Sequence, residues 1–237
     1  MVVPAIEVFA PDELAAAAAA RLSDEIVARG RSRIALAGGN TPRPIYEALA
    51  QSSRIDWSAV HLFWGDERCV PPDHASSNYR MVRETLIERL KGPIHIHRIA
   101  GELPPSDAAA AYARALGDEP LDIVLLGMGD DGHTASLFPS MADLGATGPA
   151  VIRGTAPSEP RERVTLSLAT INRARLVVFV IAGAAKAPRV REVLDQIQND
   201  APVLPSAKVQ PVSGRLLWLL DTSAAAELNP RRDRKHG

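Results

Sequence analysis

The chain has 237 residues, 46% hydrophobic and 23% charged, with a net charge of −1. That apolar fraction suits one large packed domain and argues against disorder, and the near-neutral balance leaves no electrostatic footprint for nucleic acid or an anionic membrane. Cys69 is the only cysteine, so there is no intrachain disulfide, and the longest apolar run, Leu176 to Ala185, is too short to span a bilayer; with no basic-then-apolar leader at the N-terminus, a soluble cytoplasmic protein is expected.

Asp12 to about Arg29 reads as a helix. Asp12 suits the N-cap, Ala15–Ala20 has high helix propensity, and Gly30 is a natural stop. Arg33 to Ala37 follows as a short strand, and then comes Gly38-Gly39-Asn40-Thr41-Pro42. Thr41 suits the N-cap and Pro42 the first position of a helix reaching about Ala50. Strand, glycine turn and helix N-terminus in succession leave free backbone N–H groups and a positive dipole end, a ready place for an anion. The run is neither a Walker loop nor a dinucleotide fingerprint, and a plain strand–helix turn would look the same.

Val60 to Trp64 is the next strand, and Gly65-Asp66-Glu67-Arg68 puts charge at its C-terminal tip. Asp66 and Arg68 could equally form a surface ion pair of little energetic weight. Ser76-Ser77-Asn78 can cap a helix from Tyr79 to about Leu90, and Ile94 to Ile99 can form a strand. His95 and His97 then share one face. A metal pair there lacks a third ligand nearby in sequence, so no metal site is assigned. Ser106 or Asp107 caps a helix to about Leu116.

Leu121 to Leu126 is a nearly continuous apolar run, the pattern of a strand buried on both faces. Gly127-Met128-Gly129-Asp130-Asp131-Gly132-His133 follows as turn chemistry, so an imidazole and two carboxylates stand at the tip of a central strand. In open parallel α/β sheets that edge is where ligands bind. Residues 139–162 read as a long surface excursion near this tip. Arg163 to Leu168 alternates as a half-buried strand, Asn172-Arg173-Ala174 is a turn, and Leu176 to Ile181 is a fully buried strand ending at Gly183. A helix opens at Ala184-Ala185-Lys186-Ala187-Pro188 and runs to about Ile197. Lys186 near its N-terminus faces the unfavourable end of the dipole, by ~0.3–1 kcal/mol, which a bound anion would offset unless the side chain bends into water. Val212 to Leu220 is the last strand, and the basic stretch after residue 228 reads as a frayed tail.

Strands alternating with helices predict a single α/β domain over residues 1–228, with a mainly parallel sheet and right-handed crossovers. In such a sheet the Gly38–Thr41 turn, the Asp66–Arg68 tip, the His133 loop and Lys186 share one edge. They combine an anion cradle, cations, carboxylates and one imidazole, which suits a phosphorylated small molecule and proton transfer. No G-x-S-x-G elbow or cysteine nucleophile accompanies them, so an activated water is the expected nucleophile. An unperturbed imidazole pKa of ~6.5 leaves enough neutral base at pH ~7.

Gly38-Gly39-Asn40-Thr41-Pro42, Trp64-Gly65-Asp66-Glu67-Arg68, Ser77-Asn78-Tyr79, the Gly127–Thr134 run and Gly183-Ala184-Ala185-Lys186-Ala187 together resemble the glucosamine-6-phosphate isomerase/6-phosphogluconolactonase family, in register from residue 12 to about 228. The resemblance implies the fold of glucosamine-6-phosphate deaminase and ribose-5-phosphate isomerase. It implies hydrolysis of 6-phospho-D-glucono-1,5-lactone to 6-phosphogluconate in the oxidative pentose phosphate pathway, without metal or organic cofactor. On it, His133 is the general base and Asp131 orients it. Gly38, Gly39, Asn40 and Thr41 cradle the phosphate, with Lys186 and Arg163 neutralising it. Arg68 binds phosphate or polarises the carbonyl, and Asp66 orients sugar hydroxyls. The partner is thus a small sugar-phosphate lactone, and the chain is expected to be a monomer or weak homo-oligomer. The deaminase branch carries a glutamate after its histidine loop, where this chain has Phe138. A non-catalytic sugar-phosphate sensor would have no need of His133 or Asp131.

Overall fold

The computed structural model describes residues 2–228, so the stretch after 228 expected as a frayed tail lies outside the described residues. The elements run β1 (Ala5–Phe9), α1 (Leu14–Arg29), β2 (Ser32–Leu36), α2 (Arg43–Ala50), β3 (Val60–Trp64), β4 (Asp66–Arg68), α3 (Asn78–Thr85), β5 (His95–Ile96), α4 (Pro105–Leu116) and β6 (Ile123–Leu126). They continue with β7 (Val151–Thr155), β8 (Glu162–Leu166), α5 (Leu168–Asn172), β9 (Leu176–Ile181), α6 (Ala187–Gln198), α7 (Pro205–Lys208) and β10 (Arg215–Asp221).

A seven-stranded sheet in the order β1-β10-β9-β6-β2-β3-β5 forms the centre, and each of its ladders is parallel. β2, β6 and β9 are buried along their whole length; β6 and β9 are unbroken apolar runs for that reason, whereas β2 opens with Ser32 and Arg33, the latter satisfied by Glu119 and the Leu116 carbonyl. Each such fully buried aliphatic side chain is worth roughly 1.5–3 kcal/mol relative to exposure. From β2 the chain winds outward through β3 to β5. From β6 it winds the other way through β9 to β10. β2 and β6 are neighbours, so the direction reverses between them and their C-terminal loops part, opening a crevice.

The expected parallel α/β architecture is present, and several local expectations need correction. Asp12 does not cap α1. Glu13 stands at the N-cap, and its carboxylate accepts the Ala10 backbone N–H at 3.4 Å. Pro42, not Thr41, precedes the first residue of α2, and Pro104 precedes α4 in place of Ser106 or Asp107. Proline's fixed φ sets these helix starts without a side-chain cap. α3 ends at Thr85 because Leu86 leaves helical geometry, and β5 is only two residues long. α5 fills the stretch between β8 and the expected Asn172-Arg173-Ala174 turn, sharing only Asn172 with it, and is held by its N-cap Ser167, whose hydroxyl accepts the Thr170 N–H.

The larger correction is a second sheet. Asp66–Arg68 is no mere strand tip but a separate strand, β4, antiparallel to β8, with β7 on its far side. β7 lies inside the 139–162 stretch, which therefore contributes structure as well as surface. Gly65 joins the two sheets: its N–H donates to Leu36 O at 2.9 Å, and its carbonyl accepts from Leu166 N at 2.8 Å.

Candidate active site

One cleft lies over the crevice between β2 and β6. The Ala37–Pro42 turn, Gly65, Asp66, Arg68, Asn78, the Gly127–Gly129 turn, His133, Ala135 and Lys186 line it. The Ala37–Pro42 turn, Gly65, the Gly127–His133 loop and Lys186 follow C-terminal ends of strands in the parallel sheet and so converge, while β4 and the start of α3 bring Asp66, Arg68 and Asn78 to the same place.

Two buried tyrosines fix where the strands stop. The Tyr46 hydroxyl accepts from Ala37 N at 2.9 Å and donates to Ala37 O at 2.8 Å. Tyr112 does the same at the end of β3, with Trp64 N at 2.7 Å and Trp64 O at 2.8 Å. Backbone groups that leave the ladder at the cleft floor are thereby satisfied. Burial pushes both phenols far above their ordinary range, so they stay neutral.

Gly38 and Gly39 are glycines for different reasons. Gly39 has φ +93°, a conformation that L side chains rarely adopt. A Cβ at Gly38 would come within 1.9 Å of Asn78 Oδ1. Asn78 sits this close because its side-chain amide donates to Asp66 O at 2.9 Å and to Asp66 Oδ1 at 3.2 Å. Asn78 begins α3, after its N-cap Ser77.

β4 splits its acidic pair between two tasks. Asp66 is 8% exposed and borders the cleft. Glu67 is buried away from it and accepts from the backbone N–H groups of Arg68, Asn78 and Tyr79 and from Ser77 Oγ, anchoring the start of α3. Burial pushes the Glu67 carboxyl up, against the opposing pull of those N–H donors. Arg68 borders the cleft and donates to Ser76 O at 2.5 Å. Arg163 pairs opposite Arg68 in the β4–β8 ladder but is not among the cleft-lining side chains. It is buried, with Nε and Nη1 lacking a hydrogen-bond partner, and burial followed by repulsion from Arg68 depresses its pKa.

The loop after β6 folds tightly on itself. Gly129 N donates to His133 O at 2.9 Å, and His133 N donates to Asp131 Oδ1 at 3.1 Å. The same carboxylate oxygen lies 2.6 Å from His133 Nδ1. A carboxylate can only accept, so Nδ1 carries the proton in this bond and Nε2 is the nitrogen left to exchange one. Burial raises the Asp131 carboxyl, but the His133 backbone N–H and imidazole outweigh it and hold it below the usual carboxylate range. Phe138 packs against the imidazole, ring centroids 4.8 Å apart.

Lys186 stands at the N-cap of α6 and borders the cleft. It does not bend into water. Its Nζ lies 2.5 Å from Asp130 Oδ1, so a carboxylate of the chain itself supplies the anion that its position against the dipole calls for.

Most of the side chains expected at the site therefore converge. His133, Asp66, Arg68, Lys186 and the Gly38–Thr41 turn share the cleft; Asp131 reaches it through His133, and Arg163 stands apart from its lining. Asn78, Asp130 and Ser136 also belong to the network around the cleft; Asp130 is the second carboxylate at the β6 tip, and its role there is to engage Lys186. Asn78 had a signal in the Ser77-Asn78-Tyr79 motif; nothing in the sequence marks Ser136. His95 and His97 acquire a third histidine, His61, but the rings stack, His61 on His95 at 4.3 Å and on His97 at 5.3 Å. Among the described residues no group of three or more His, Cys, Asp or Glu side chains is arranged to hold a metal ion, and no helix is long and apolar enough to cross a membrane.

Residues 10–218 match the family model described as glucosamine-6-phosphate isomerases/6-phosphogluconolactonase. The chain is 42% identical over 220 residues to a 6-phosphogluconolactonase of Nostoc sp., covering 88% of this chain and 90% of that one. A solved 6-phosphogluconolactonase from Thermotoga maritima superposes with a TM-score of 0.81 at 30% identity, covering 92% of this chain and 99% of that one. A solved glucosamine-6-phosphate deaminase, 21% identical, shares the fold with a TM-score of 0.80 over 94% of this chain and 99% of that one.

Proposed function

This chain belongs to the glucosamine-6-phosphate isomerase/6-phosphogluconolactonase family, and from that premise we propose how its cleft works. The protein is a hydrolase of the 6-phosphogluconolactonase kind, opening a sugar-phosphate lactone in the pentose phosphate pathway. The substrate is 6-phospho-D-glucono-1,5-lactone and the product 6-phosphogluconate.

His133 Nε2 takes a proton from water as its oxygen attacks the lactone carbonyl carbon. The ester bond to the ring oxygen then breaks, and the imidazolium returns its proton to that oxygen, leaving a hydroxyl and a carboxylic acid that loses its own proton to solvent. Asp131 holds the ring by Nδ1 and stabilises the imidazolium that forms. General-base assistance of this kind is worth ~10²–10⁴ in rate.

The phosphate occupies the Gly38–Thr41 turn, where backbone N–H groups and the start of α2 favour an anion. Lys186 reaches it by exchanging Asp130 for phosphate. Arg68 borders the same space, with Arg163 adding positive potential behind it. Asp66 takes the sugar hydroxyls. Phe138, buried, packs on the imidazole where the deaminase branch carries a glutamate.

The observation that carries this reading is the shared cleft: an imidazole oriented by a carboxylate at one wall, a glycine turn and a lysine at another. The test is turnover of freshly generated lactone, corrected for spontaneous hydrolysis, by wild type and by His133→Ala. Loss of catalysis with the fold retained supports the assignment. Near-normal turnover by His133→Ala removes His133 as the base.

A further inference from the structure

The loop that carries His133 also carries a buried serine that touches another wall of the cleft. Ser136 is 1% exposed and does not border the cleft itself. Its Oγ donates to Asp66 Oδ2 at 2.5 Å. Its backbone N–H donates to Thr165 Oγ1 at 3.2 Å, and Thr165 lies opposite Asp66 in the β4–β8 ladder.

The local backbone is arranged for this contact. Ala135 has φ +47°, a left-handed conformation that costs a non-glycine residue free energy and persists only where the surroundings enforce it. Thr134 and Leu137 close the turn, with Leu137 N donating to Thr134 O at 2.9 Å, and Thr134 Oγ1 donates to Gly127 O at 2.8 Å. His133 and Ser136 therefore leave the same turn, one bordering the cleft and one reaching behind β4. Room for the turn depends on Gly154, where a Cβ would come 2.6 Å from Ser136 O.

Asp66 is consequently held on both oxygens, Oδ2 by Ser136 and Oδ1 by Asn78. A carboxylate is an acceptor only, and two donors from different elements fix its rotamer and the direction of its remaining lone pairs. The donor on Oδ2 comes from the turn that carries the imidazole.

We propose that Ser136 is a positioning residue for the reaction: it sets the Asp66 carboxylate for the sugar and ties its register to that of His133. The proposal rests on the lactonase reading and adds a residue to it.

The experiment is a double-mutant cycle in lactone hydrolysis, with kcat and KM measured separately and Tm recorded for each variant. Ser136→Ala is expected to lower kcat/KM by about 10-fold, chiefly through KM, the loss of one charge-assisted hydrogen bond that orients a binding group. Asp66→Ala is expected to lower it further, and Ser136→Ala added to Asp66→Ala should cost almost nothing more. A serine that serves the fold alone would show equal losses in both backgrounds, or a lower Tm with unchanged kcat/KM, and either result overturns the proposal. An unchanged KM in Asp66→Ala would also overturn it while leaving lactone hydrolysis standing. Absence of lactone turnover by the wild-type protein would instead remove the functional reading beneath it.

Discussion

Gly129 and His133 are fitted so closely that a Cβ on Gly129 would stand 2.1 Å from His133 Nδ1 and 2.7 Å from Asp131 Oδ1. The imidazole lies against bare backbone, and the His133–Asp131 bond occupies the space a side chain would need. Gly129→Ala is therefore expected to displace the pair and cut kcat by at least ~10² while the protein stays folded, the scale of losing a positioned base. Turnover and circular dichroism of the variant check this. Wild-type kcat in Gly129→Ala would mean that the pair tolerates displacement and that its geometry is not what matters.

Asp131→Asn keeps the shape of the loop but puts an amide where the carboxylate meets Nδ1. The asparagine oxygen can still accept, yet the negative charge that stabilises an imidazolium is gone. A fall in kcat of roughly 10²–10⁴, with KM little changed, is expected from the general-base contribution. Steady-state kinetics decide it, and a change confined to KM would reassign Asp131 to binding.

Lys186 is engaged by Asp130 at 2.5 Å, an ion pair whose carboxylate is largely exposed. Pairs of that kind are worth ~0.2–1 kcal/mol, so freeing the lysine should tighten anion binding by a factor of about 1.4 to 5. Asp130→Asn is expected to lower KM and the inhibition constant of inorganic phosphate by that factor, and Lys186→Ala to raise both. Inhibition by phosphate that neither variant changes would place the phosphate elsewhere.

The histidine stack at the β3–β5 edge should make the fold sensitive to acid. His61 Nδ1 lies 3.1 Å from His97 Nε2, and His97 stacks on Phe63 at 4.5 Å. Burial first, then neighbouring cationic groups, depress both pKa values: His95, Arg31, His97 and Arg33 act on His61, and Arg33 and His95 on His97. Glu119 pairs with both arginines from the loop after α4. The folded pKa lies below the unfolded value of ~6.5, so the stability is intact above pH ~6.5 and is lost as pH falls through the folded value. Tm should drop as the pH falls below ~6.5, and His97→Phe, which keeps an aromatic on Phe63, should flatten that drop. An equal drop in both proteins would assign the acid sensitivity to other groups.

The sequence by itself determined the parallel sheet and the edge that carries the site. Strands buried on both faces are mostly apolar, and β6 and β9 announce themselves as unbroken runs followed by glycine and charge, while β2 shows only Ile34–Leu36 before its glycine turn. His133, Lys186 and the Gly38–Thr41 turn stand at those ends and were legible for that reason. What depends on partners distant in sequence was not legible. β4 is three residues long and is a strand only because β8, about a hundred residues away, pairs with it. Among the described residues β1 has its only ladder with β10, more than two hundred residues further along the chain. Tertiary structure alone decided that Arg163 stands behind Arg68, that Asp130 engages Lys186 and that Ser136 grips Asp66. The physical reason is that burial leaves a local, periodic trace in composition, whereas a hydrogen bond between side chains some seventy residues apart leaves none until the backbone brings them together.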